Sequence, residues 1–122
     1  MLASVIIISC NNDINDSSNS KIKNINPELD KVDQLIAKYP DNPKNYINRA
    51  NILILAGNQS GAIADLSKSI ELDTSLTEAY FLRGKQYYKQ KQYPEALRDL
   101  KKTYNKNRKN KSLIEMIAKI YL

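Results

Sequence analysis

The chain has 122 residues and a mass of 13.9 kDa, enough for one helical domain with a modest core and too little for two. Hydrophobic residues at 42% and charged residues at 26% are globular values, while three Gly and four Pro are too few for a turn-rich β fold. The absence of His and the presence of one Cys remove the commonest general base, the commonest metal ligand, any multi-Cys metal site and any internal disulfide. The formal net charge of +6 is unevenly placed. Residues 27–76 carry five basic and seven acidic groups, and residues 77–122 carry twelve and four. The C-terminal half is a positive pole.

At the N-terminus a short apolar run, Val5 to Ile8, is followed by Ser9 and Cys10. Asn11 to Asn26 is polar, with too few apolar groups to offset ordering entropy. An aliphatic pair, a small residue and then Cys resembles the end of a bacterial lipoprotein signal peptide. That resemblance implies lipidation at Cys10 and a flexible polar tether through Asn26. The pattern departs from it in one respect, since no Lys or Arg precedes Cys10. No apolar stretch approaches the roughly 20 residues needed to span a membrane.

Helices are expected at about 28–39, 43–56, 60–72, 77–91, 94–106 and 111–121. Asn42 before Pro43 marks a helix start, and Gly57 an end. Ser60 or Gly61 opens the next helix, and Pro94 starts the helix that follows Gln92 and Tyr93.

These helices repeat. Laying residues 43–76 on 77–110, a spacing of 34, pairs Tyr46 with Tyr80, Arg49 with Arg83, Ala62 with Ala96, Asp65 with Asp99, Leu66 with Leu100 and Lys68 with Lys102. Ala50 falls on Gly84. Such a period with helical patterning marks helix–turn–helix repeats. Small residues at 50, 62, 84 and 96 let two helices approach closely, and Tyr46, Tyr80 and Tyr87 fill the space around the crossing.

On these residues the chain resembles the tetratricopeptide repeat family. Thr74 and Arg108 stand where its closing Pro is expected, although Pro40 keeps it. The resemblance implies an all-α fold of stacked antiparallel hairpins, a short right-handed α-solenoid, with a disordered N-terminal tail. It divides the chain into 1–26, a signal remnant and tether, and 27–122, the helical domain. Complete repeats occupy 43–76 and 77–110, flanked by partial repeats at 27–42 and 111–122.

No nucleophile motif, phosphate loop or paired carboxylates appear, so no catalytic residue, metal ligand or cofactor is assigned and a non-enzyme is expected. Arg49 with Asp65, and Arg83 with Asp99, read as ion pairs that fix register within each hairpin. The resemblance implies a concave groove for a protein or peptide, lined here by Ile47, Asn48, Asn51, Phe81, Leu82, Lys85, Tyr88 and Lys89. Lys85 and Lys89 favour an acidic partner.

One subfamily clamps acidic chaperone tails. Its clamp positions fall on Ile47, Asn51, Leu82, Ser112 and Met116, of which only Asn51 agrees. The basic stretch Lys101 to Lys111 lacks a stacking platform, so no nucleic acid is expected. The expected setting is a bacterial envelope scaffold anchored to the membrane by lipid, with a soluble cytoplasmic adaptor or a non-catalytic subunit of an enzyme as the alternatives. The C-terminal segment, with Met116, Ile120 and Leu122 beyond a covering set of Leu113, Ile114, Ile117, Ala118 and Tyr121, is expected to dock on a second copy, a partner or further repeats.

Overall fold

The computed structural model describes the backbone of residues 17–122 and the side chains from Pro27 onward. Six helices run α1 Ser17–Lys38, α2 Pro43–Leu55, α3 Gln59–Leu72, α4 Thr77–Lys89, α5 Tyr93–Lys106 and α6 Lys111–Tyr121, with no strand among the described residues. Helices α2 and α3 form one antiparallel hairpin and α4 and α5 the next. The two hairpins meet where α3 packs on α4, while α1 flanks α2 and α6 flanks α5.

Five of the six helices begin and end within two residues of the sequence-based expectation. The first differs. Helix α1 starts at Ser17 with Pro27 inside it, so residues 17–26 of the expected tether have helical backbone. A proline removes one backbone bond but does not oblige the chain before it to leave the helix. Cys10, with residues 1–16, lies outside the described residues.

The helix ends repeat as the side chains do. At the end of α2, Gly57 has φ 79°, Asn58 N–H donates to the Leu53 carbonyl and Gly57 N–H to that of Ile54. At the end of α4, Lys91 has φ 61°, Gln92 N–H donates to Tyr87 and Lys91 N–H to Tyr88. Both are Schellman closures, one with Gly and one with Lys in the left-handed position. Asn42, Asn58 and Asn110 cap α2, α3 and α6 by accepting from Lys44, Gly61 and Leu113 N–H. The cap of α3 is therefore Asn58, and Gly61 lies inside the helix rather than opening it.

The core sits at the helix crossings. Ala50, Ala62 and Leu66 are buried with Ile47, Ile70, Ala79 and Tyr80 in one cluster, and Ala96, Leu100 and Leu113 in a second. At the second crossing a Cβ on Gly84 would lie 3.0 Å from Leu100 Cδ2. Small residues at these positions thus set the distance between the two helices.

Candidate peptide-binding surface

Ion pairs hold each hairpin. Arg49 Nε and Nη2 donate to the two carboxylate oxygens of Asp65 at 2.8 and 2.7 Å, and its Nη1 reaches Asp33 of α1 at 2.8 Å. Sixteen residues either side of Arg83 the same places are taken by Asp99, at 2.7 and 2.9 Å, and by Ser67, at 3.0 Å. Hydrogen bonding to Asp65 and Asp99 raises both guanidiniums above their ordinary range, against an opposing effect of burial. Asp65 and Asp99 are buried and consumed by these bidentate pairs, so neither is free for a ligand.

The residues expected to line one groove separate into four places. Ile47 is only 4% exposed and sits in the first core cluster, with Leu82 packed against it. Ile47 offers no groove surface, whereas Leu82 is half-buried. An aliphatic side chain at the seam between stacked hairpins gains more from burial than from facing water, which corrects the placing of Ile47 in the groove. Phe81 is half-buried against the second cluster, with Lys85 Nζ 5.4 Å from its ring centre. Asn48 and Asn51 border a hollow of about 320 Å³ between α1 and α2, with Glu28, Lys31, Val32, Leu35 and Ile52.

Lys85, Tyr88 and Lys89 come together in a different hollow, of about 260 Å³, between α4 and α6. Helix α6 completes it with Ser112, Glu115, Met116 and Lys119. The last three follow Phe81, Leu82 and Lys85 by 34 residues, so carrying the period one step further would have found them in the sequence. The hollow has three ammonium groups against one carboxylate, around the apolar surface of Tyr88 and Met116. Such a surface attracts acidic ligands and can bury an aliphatic or aromatic side chain. Among the described residues no group of three His, Cys, Asp or Glu is placed to hold a metal, and no helix is long and apolar enough to cross a membrane.

The C-terminal helix covers the second hairpin with Leu113, Met116, Ile117 and Ile120, while Ile114, Ala118 and Tyr121 are exposed. The covering set expected from the sequence included the last three and left Met116 and Ile120 outside. That set belongs to the register in which the first helix of a hairpin meets its own second helix. No such helix follows α6 among the described residues.

Residues 77–110 match the Tetratricopeptide repeat family. The first TPR of Spaghetti (RPAP3), solved bound to the HSP90 peptide SRMEEVD, superposes with a TM-score of 0.76 at 23% identity, covering 85% of this chain and 84% of that one. The second TPR domain of human RPAP3, in complex with the HSP70 peptide SGPTIEEVD, gives 0.72 at 22% identity over 86% and 89%. Serine/threonine-protein phosphatase T of Aspergillus oryzae is 40% identical over 73 residues, 60% of this chain. The Bos taurus Protein SGT1 homolog is 36% identical over 69 residues, 57% of this chain. The matches span only 15% and 20% of those two proteins. The described helices thus have the all-α, tetratricopeptide-type fold of stacked hairpins, and residues 77–110 match one repeat of that family.

Proposed function

We propose that the chain is a non-catalytic binding module that takes an acidic peptide in the hollow between α4 and α6. The observation that carries this reading is the convergence of Lys85, Lys89 and Lys119 around Tyr88 and Met116. The cations supply steering and charge-assisted hydrogen bonds, and the apolar floor supplies an anchor for one side chain. Two domains of the same fold hold peptides that end in Glu-Glu-Val-Asp, which supports an acidic peptide as the ligand class. The clamp of the chaperone-binding subfamily is not reproduced. Ile47 is in the core, Leu82 packs half-buried against it, and Asn51 borders the other hollow. The ligand is therefore read as an acidic segment anchored by lysines rather than a chaperone tail held by that clamp.

Titration calorimetry with SRMEEVD and with a peptide of the same length lacking carboxylates tests this. The acidic peptide is expected to bind, more weakly as salt rises, and to lose most of its affinity on Lys85→Glu with Lys89→Glu. The same affinity for both peptides, or none for either, would contradict it.

The peptide-holding neighbours favour the soluble cytoplasmic adaptor over the lipid-anchored envelope scaffold. Lipidation at Cys10 is a separate proposal that rests on residues 7–10 alone. Fatty-acid label on the protein that disappears in Cys10→Ser would support it, and absence of label in the bacterial host would end it.

A further inference from the structure

The two ends of the helical stack are complementary halves of one hairpin. In the complete hairpins Gly84 of α4 meets Leu100 and Asp99 of α5, and Lys102 of α5 lies over the Tyr80 ring, while Ala50 of α2 is buried with Ala62 and Leu66 of α3. The residues 34 positions after Tyr80, Arg83, Gly84 and Tyr87 are Ile114, Ile117, Ala118 and Tyr121 of α6. Here that face is open, with Ile114 43% and Tyr121 63% exposed. A hollow of about 310 Å³ lies along it, bordered by Ile114, Ile117 and Ala118 with Lys101 and Tyr104 of α5. This is the place a second helix of a hairpin would occupy.

The opposite end carries the counterpart. The inner face of α3 is made by Ala62, Asp65, Leu66 and Ser69, all buried. The residues 34 positions before them are Glu28, Lys31, Val32 and Leu35 of α1. These four border the hollow of about 320 Å³ beside α2. Thus α1 is a second helix whose first helix is missing, and α6 is a first helix whose second is missing, among the described residues.

Among the described residues, six of the eight exposed large hydrophobic residues belong to these two ends, Leu35 and Tyr39 at one and Tyr104, Ile114, Tyr121 and Leu122 at the other. Charge is complementary as well. Residues 27–42 carry four carboxylates against two lysines, and residues 101–122 carry seven cations against one glutamate.

We infer that the occupant of each end is the opposite end of a second copy. The α6 of one copy lies in the N-terminal hollow of the next, whose α1 lies in the C-terminal hollow of the first. One hairpin is completed between two chains, and the 34-residue spacing continues across the junction. Such a contact is heterologous, so it adds copies in series rather than closing as a symmetric pair. The junction has two misfits. Glu28 stands at the crossing where Ala62 and Ala96 stand inside the chain, and Lys31 stands in the place of Asp65 opposite Ile117 in the place of Arg83, so the ion pair of the complete hairpins is not reproduced. Both hold the affinity below that of a covalent hairpin.

Sedimentation velocity of the 122-residue chain tests the inference through two exposed positions, Leu35 and Ile114, whose substitution leaves the core untouched. The wild type is expected to show an average mass that rises with concentration and falls with salt. Leu35→Glu and Ile114→Glu each spoil one end and are expected to be monomers alone. Mixed, they retain one intact junction and form a dimer that grows no further. Glu28→Ala should strengthen association several-fold. Three results would each overturn the inference: a wild type that stays monomeric up to millimolar concentration, a Leu35→Glu variant that associates as the wild type does, or a mixture that remains monomeric while both variants keep wild-type circular dichroism.

Discussion

Two aspartates that contact the same arginine differ in what they hold up. Asp65 and its equivalent Asp99 are buried, whereas the Asp33 side chain is 49% exposed at the far side of Arg49. Removing Asp99 leaves a part-buried guanidinium with only Ser67 as partner, at a cost below the roughly 3–5 kcal/mol of breaking a fully buried pair. An exposed pair contributes about 0.2–1 kcal/mol. Asp99→Ala is therefore expected to lower the urea midpoint far more than Asp33→Ala, and equal midpoints would contradict the assignment of register to the buried pair. Lys91 gives the opposite sign. Its φ of 61° is a left-handed conformation that Gly57 adopts in the preceding hairpin. That conformation costs an L-residue about 1–2 kcal/mol, and glycine loses about 0.5–1 kcal/mol in chain entropy. Lys91→Gly should stabilise the fold by a fraction of a kcal/mol and so raise the midpoint slightly, and a fall would show that the lysine side chain contributes contacts of its own.

Among the elements, caps and crossings separate the two hairpins. Asn58 caps α3, but Gln92 at the equivalent place makes no side-chain bond to α5. Gln92→Asn copies the first repeat into the second and should stabilise by about 1 kcal/mol, the usual worth of an N-cap. Thermal unfolding unchanged by it would mean that Pro94 already fixes that helix start. At the crossings, Ala62→Leu or Ala96→Leu forces apart helices that have no free volume and should cost about 1–3 kcal/mol. Ala56→Leu, at an exposed helix end, should cost little.

These positions show why so much of the fold was legible. Residues at 50, 62, 84 and 96 are small for a steric reason that recurs every 34 residues, and that period together with the start and stop signals at Asn42, Pro43, Gly57 and Pro94 located five helices. The candidate site was less legible. Ile47, Leu82 and Lys85 all lie on the first helix of a hairpin, yet only Lys85 reaches the hollow between α4 and α6. A helix that faces a partner helix on two sides exposes a narrow stripe, and its limits depend on the packing angle rather than on any single residue. The start of α1 was illegible for a different reason, since one proline is compatible with a helix on either side of it.

At the scale of the whole molecule, charge and stacking act together. The acidic end and the basic end lie at opposite extremes of the stack, and the basic hollow lies beside α6, one helix from the C-terminal face. On the two proposals above, a bound acidic peptide would neutralise part of the positive pole that would also attract the next copy. Saturating acidic peptide should therefore weaken association in sedimentation, to a degree that falls as salt rises. Stronger association in the presence of peptide would mean that the two sites do not share that field.

The central claim is that the hollow between α4 and α6 is where an acidic peptide sits, and its most direct test is a nitrogen-15 NMR titration of the chain with SRMEEVD. The expected result is a saturable set of shifts confined to Lys85, Tyr88, Lys89, Ser112, Met116, Lys119 and their neighbours, abolished by Lys85→Glu with Lys89→Glu. Shifts centred on Asn48 and Asn51 between α1 and α2, or scattered over every lysine without saturation, would contradict it.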